Sequence, residues 1–414
     1  MSILSRIAGF EELELNGGVA PDVVVGEDDA LRAEVAEVQV ELEQQAAVIE
    51  ELTDAVAEQE EAVEELAENI EGMESLIGSG QFNSTAFANL YNRASRLNTK
   101  LGGVSVDRLG AESMSDAATA QIMARNGMEG FMETIKSTAK KAGEVIRHIF
   151  DAIINFFVGL FNGAEKVSRR AEQLTTRLAA ADKVKEKIKL GGWNVLYDYA
   201  KNGLNKDLEG WTATQNALAG FANVAKSASK VTLSDFNSAY AALLSAIKSD
   251  AKKDVNATEK SEGDKKVLIG MAAGIRVHAE MKDGLPKDLK EAADYARSIK
   301  INFGTGGDKA LTSGEVAAKA DKSALGGVLT KVKSTATALR NGKVAAAFSK
   351  AVRDQVIGQL NVMKADDKEK ADEVNAQVAL VKSVYSASSS ATQATTKQTI
   401  RAANWACDAV AAHI

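Results

Sequence analysis

LRAEVAEVQVELEQQAAVIEELTDAVAEQEEAVEELAENIEGMESLI, residues 31–77, repeats in sevens. Val35, Leu42, Ile49, Val56, Val63, Ile70 and Ile77 fall at one seam position, and Leu31, Val38, Gln45, Leu52, Gln59, Leu66 and Met73 at the other. An unbroken heptad seam of this kind is the pattern of a left-handed coiled coil. Mostly β-branched residues at the first position and Leu leading at the second favour two parallel strands. Gln45 and Gln59 fix the register at some cost in stability. Around the seam the charges are nearly all Glu, with Arg32 as the single basic residue of the stretch. The sequence therefore predicts an acidic helical rod over 29–77 that self-associates with a second copy of the chain.

Outward from this rod, the rest of the chain also reads as helix. A length of 414 residues leaves room for two or three domains, and with only two prolines and abundant Ala, Ser and Lys the expected class is all-α. The single Cys407 excludes an internal disulfide framework and points to a reducing compartment. Residues 1–28 are expected to be disordered apart from a short helix over 3–13, and Met1–Gly18 lacks a secretory pattern. Gly78-Ser79-Gly80 ends the rod, and Ser84 is placed to cap a short helix carrying Phe87, Leu90, Tyr91 and Leu97.

The charge is unevenly divided. Residues 1–112 hold 6 Lys+Arg against 24 Asp+Glu, giving 6 − 24 = −18. The chain totals of 50 and 57 leave 44 basic and 33 acidic residues in 113–414, giving 44 − 33 = +11. The step falls in Leu109-Gly110-Ala111-Glu112-Ser113, which makes 78–112 a linker with a short helix and 113–414 a multi-helix body.

Within that body Met128–Phe161 is the most apolar stretch and holds five of the 12 phenylalanines, with Gly163 expected to close it and Lys166–Lys189 to continue as a charged helix. Val145–Phe161 admits two readings. It is either a membrane-active helix of toxin or ejection type, or the central helix of a packed core. Arg147, His148, Asp151 and Asn155 within its 17 residues favour the core and argue against a membrane partner. Farther on, Lys252–Lys266 reads as a charged loop, Ser234 as a helix cap and Pro286 as a helix start. An internal break is expected near 301–314, and helices over 324–363 and 366–413 finish the chain. No alternating run stands out as long enough for a sheet.

Chemistry has little to stand on. His148, His278 and His413 share no metal-ligand spacing, and no further Cys or His completes a site near Cys407 and His413. Gly304-Thr305-Gly306-Gly307-Asp308-Lys309 lacks both Walker spacing and a buried strand before it. No serine sits in a nucleophile elbow. No cofactor or metal and no enzymatic activity are expected. The 44 basic residues of the body can meet phosphate without reading bases, so non-specific contact with DNA is open while specific reading is not.

The layout resembles the internal head, or prohead core, proteins of large tailed bacteriophages. In that family an acidic propeptide precedes a helical body, and a prohead protease cuts after Glu in a small-x-Glu context. Gly110-Ala111-Glu112 before Ser113 is similar to such a site. Ser113-Met114-Ser115, Gly127-Met128-Glu129-Gly130-Phe131 and Ile135-Lys136-Ser137-Thr138-Ala139-Lys140-Lys141 resemble the start of mature family members. Gly9-Phe10-Glu11, Gly72-Met73-Glu74 and Gly127-Met128-Glu129 match the triplet too, with Glu74 a candidate second cut. The resemblance implies a structural virion protein inside the capsid, with the protease, capsid shell or core proteins and packaged DNA as partners. Cutting after Glu112 would discard −18 and leave a +11 body. An uncut coiled-coil scaffold is the remaining alternative.

Overall fold

The computed structural model describes residues 27–78, 82–104, 117–194, 199, 203–204, 211–251, 258–272, 275–304, 314–340, 346–362 and 368–414. The elements are α1 (Glu27–Gly78), α2 (Ser84–Lys100), α3 (Ala117–Ala180), β1 (Lys187–Lys189), α4 (Thr212–Val224), a 3-10 turn (Ala225–Lys230) and α5 (Leu233–Ala251). They continue with β2 (Thr258–Glu262), β3 (Lys265–Ala272), β4 (Ile275–Lys282), α6 (Leu289–Arg297), β5 (Lys300–Gly304) and β6 (Glu315–Ala317). Helices α7 (Lys322–Arg340), α8 (Lys350–Val362) and α9 (Lys368–His413) complete them. The body is mainly helical, as its composition predicts. The described residues form two compact units, one within 50–149, the other within 27–49 and 150–414, and α1 and α3 contribute to both.

In the first unit the later heptads of α1 place Ala62, Leu66, Ile70 and Met73 against Phe87, Tyr91, Ala94 and Leu97 of α2 and Phe131 of α3. Tyr91 is the middle of an aromatic row, 6.4 Å from Phe87 and 5.5 Å from Phe131 between ring centroids. A Cβ at Gly72 would lie 2.9 Å from Leu90, so α1 and α2 meet there closely. Helix α2 is capped by Asn83, whose Oδ1 accepts from Ala86 N at 2.9 Å, one residue earlier than the cap expected at Ser84. After α2 the chain turns through Gly102, at φ +85°.

In the second unit the early heptads of α1 run between α3 and α9. A Cβ at Gly163 would lie 2.9 Å from Val38 and 3.2 Å from Ile400, and one at Gly159 would lie 3.3 Å from Leu42. Glu34 pairs with Lys166 at 3.8 Å, Glu43 with Lys397 at 4.0 Å and Arg32 with Asp408 at 3.2 Å. Rising numbers on α1 meet falling numbers on both neighbours, so α1 is antiparallel to each. Leu31, Val35, Val38, Leu42 and Ile49 are all buried there. The seam expected to pair with a second copy is thus covered inside one chain.

Gly163 does not end the apolar helix. It lies inside α3, where the missing side chain lets Val38 approach. The helix expected over 166–189 stops at Ala180, where Lys322 Nζ donates to the carbonyls of Ala179 and Ala181 at 2.8 and 2.9 Å. Lys187–Lys189 is instead strand β1, paired antiparallel with β6. Where one helix was expected over 324–363, the described residues hold α7 and α8, with Phe348 and Ser349 outside any helix between them. Thr232, not Ser234, caps α5, accepting from Asp235 N at 3.1 Å. The Asp288 carboxylate accepts from Glu291 N at 2.7 Å and starts α6 just beyond Pro286.

The four-stranded antiparallel sheet β2-β3-β4-β5 is the main departure from expectation. Strand β4, Ile275-Arg276-Val277-His278-Ala279-Glu280-Met281-Lys282, alternates strictly, with Val277, Ala279 and Met281 buried. The segment expected to be a charged loop holds β2 and the two-residue turn Gly263-Asp264 into β3, with Gly263 at φ +65°. Tyr240 of α5 donates to Lys282 O at 2.8 Å, and its ring meets Phe236 and Tyr295 at 5.6 and 5.5 Å, joining α5 to the sheet and α6.

Candidate functional site

Gly110, Ala111, Glu112 and Ser113 lie outside the described residues, as do residues 1–26 and 305–313, which carry the predicted short N-terminal helix and most of the predicted glycine-rich break. Helix α2 ends at Lys100 before this segment and α3 starts at Ala117 after it. Of the other triplet matches, Glu74 and Glu129 sit exposed on α1 and α3, and Glu11 lies outside the described residues. A protease takes its substrate extended, so a cut at Glu74 or Glu129 requires a helix to unwind first.

The Phe-rich segment of α3 is occupied. Phe150, Ile153, Phe156, Phe157 and Leu160 are buried, with Phe150 4.5 Å from Tyr385 and Phe157 5.8 Å from Phe348 between ring centroids. Its apolar face is thus spent on the chain's own α9 and on Phe348. Among the described residues no helix is long and apolar enough to cross a membrane.

The strongest electrostatic feature is one the sequence reading passed over. Arg170 of α3 is 1% exposed and binds residues from opposite ends of the chain. Its Nε donates to Asp28 at 3.0 Å and its Nη1 to the Asn404 side chain at 2.6 Å, while its Nη2 forms an ion pair with Asp408 at 2.9 Å. Burial works against the guanidinium charge, but the Asp28 hydrogen bond and the Asp408 charge outweigh it, and its pKa is raised. Cys407 beside it is buried, which pushes its thiol up to about 12 and leaves it protonated and unreactive. One signal was legible: Arg170 falls on the stripe Leu160, Ala164, Val167, Ala171, Leu174, Leu178, where a charge has no place unless it is paired.

A second buried polar contact closes the end of α9. The Tyr199 hydroxyl donates to His413 Nε2 at 2.7 Å and accepts from Lys319 N at 2.6 Å, while His413 Nδ1 donates to Ala409 O at 2.6 Å. Burial holds His413 below its ordinary value, against the pull of the Ala409 carbonyl. Arg170 and His413 are both buried and bond partners on other elements, and so hold those elements together.

Residues 37–412 match the family model of phiKZ-like phage internal head proteins. No curated protein and no solved structure matches the chain.

Proposed function

We propose a function from the premise that this chain belongs to the phiKZ-like phage internal head proteins. It is a structural protein of the phage head and lies inside the capsid. Its working form is made by a prohead protease that cuts after Glu112, between an acidic N-terminal part and a basic C-terminal part that is packaged with the DNA. Glu112 and Ser113 act as substrate residues of that protease and not as catalytic groups. The charge step supports this reading: −18 over residues 1–112 gives way to +11 over 113–414 at a triplet match that lies between the end of α2 and the start of α3. Basic residues scattered over the body can meet phosphate without base-specific contacts and release its counterions.

The experiment is the N-terminal sequence and intact mass of the protein from mature particles. A start at Ser113 is expected. A chain starting at Met1 would remove the propeptide and leave an uncut scaffold as the function.

A further inference from the structure

Both compact units are built from chain on both sides of Glu112. The first joins Leu66, Ile70 and Met73, before the cut, to Phe131, after it. The second joins residues 27–49 of α1 to α3 and α9. We propose that cutting after Glu112 nicks the protein without releasing its N-terminal part, so that the matured molecule is a non-covalent pair of fragments with α1 still docked. This rests on the processing step proposed above.

Three observations in the second unit carry it. Leu31, Val35, Val38, Leu42 and Ile49 are at most 7% exposed, and their removal would open an apolar groove along α3 and α9. Gly159 and Gly163 give that groove its depth, because a side chain at Gly163 would collide with Val38 and one at Gly159 would crowd Leu42. Arg170, 1% exposed with α1 in place, would lose Asp28 and keep Asp408 as its remaining carboxylate partner. Departure of α1 therefore exposes apolar surface and strips a buried charge at once. The charge change expected of the cut is deferred, since the acidic rod stays beside the basic body until a separate unfolding event removes it.

The test is a full chain with a site-specific protease sequence in place of residues 106–109, cut in vitro and passed over a sizing column in native buffer at 0.5 M salt. Both fragments should elute in one peak at the mass of the uncut chain, and amide exchange over residues 31–42 should stay within about threefold of the uncut protein. Separate peaks, or a loss of protection by a hundredfold, would overturn the proposal. Val38→Asp in the same cut protein should lower protection over 31–42 and 159–171 at least tenfold, and unchanged protection would show that this groove is not what holds α1. Docking and processing fail separately: the engineered cut tests retention wherever the phage protease acts, and the native N-terminus tests the site of cutting.

Discussion

At the scale of single residues, the polar contacts that matter are buried and span long stretches of sequence. Asp28 and Asp408 share one guanidinium on α3. Asp28→Ala should destabilise the chain by about 3 kcal/mol in urea unfolding, because Arg170 cannot move to water when its partner is gone. Asp28→Ala and Asp408→Ala should be non-additive in a double-mutant cycle, since both act on the same cation. His413 adds a pH dependence. Its folded pKa is lowered from 6.5, so below that value the unfolded chain takes up a proton that the folded chain refuses. The associated stability is fully present above pH 6.5 and is lost as pH falls toward the folded value, with a slope of at most ~1.4 kcal/mol per pH unit. Melts between pH 7.5 and 5.5 should show the loss, and His413→Gln should flatten it. Neither contact was legible beforehand, because pairings between residues more than a hundred positions apart leave no local pattern. Arg170 announced only that it needed a partner.

At the scale of elements, the heptads were legible and their partner was not. A seam states that a helix buries one stripe, and it is satisfied equally by a second copy or by other helices of the same chain. Here α2 and Phe131 cover the later heptads, and α3 and α9 the earlier ones. The sheet was missed for a different reason. Strand β4 alternates over eight residues, but Ala279, Glu280 and Met281 favour helix, so the period competed with propensity and lost. Packing of β4 between β3 and β5 decided the outcome. The Ser- and Thr-rich α9 also finds its account here. Thr395 and Thr396 return their hydroxyls to backbone carbonyls at 3.0 and 2.7 Å, letting polar side chains lie in a packed face. Ser388 and Thr392 are equally buried, and among the described residues their hydroxyls have no partner. Ser388→Ala with Thr392→Val should raise stability by about 1–2 kcal/mol in urea titration, since each change removes an unpaid desolvation without changing shape much.

At the scale of the whole molecule, order along the chain and order in space are different things. Composition and the charge step divide the sequence at residue 112, and an acidic rod followed by a basic body is how a one-dimensional reading must describe it. The compact units ignore that division, each taking chain from both sides. The consequence is a requirement for the N-terminal part during folding. Residues 113–414 made alone lack Leu31, Val35, Val38, Leu42 and Ile49 in the second unit, each worth about 1.5–3 kcal/mol of burial. Their sum is comparable with the 5–15 kcal/mol by which a typical domain is stable. The 113–414 fragment should therefore be recovered largely insoluble or with a broad, early unfolding transition, and co-expression of residues 21–78 as a separate chain should restore solubility and a sharp one. A synthetic 27–49 helix added to refolding 113–414 should raise the urea midpoint in a concentration-dependent way, as mass action demands of a segment that binds only the folded state. A 113–414 fragment that folds to the full stability of the intact chain without help would mean that the body closes over its own groove, and the acidic helix would then be a passenger in the fold.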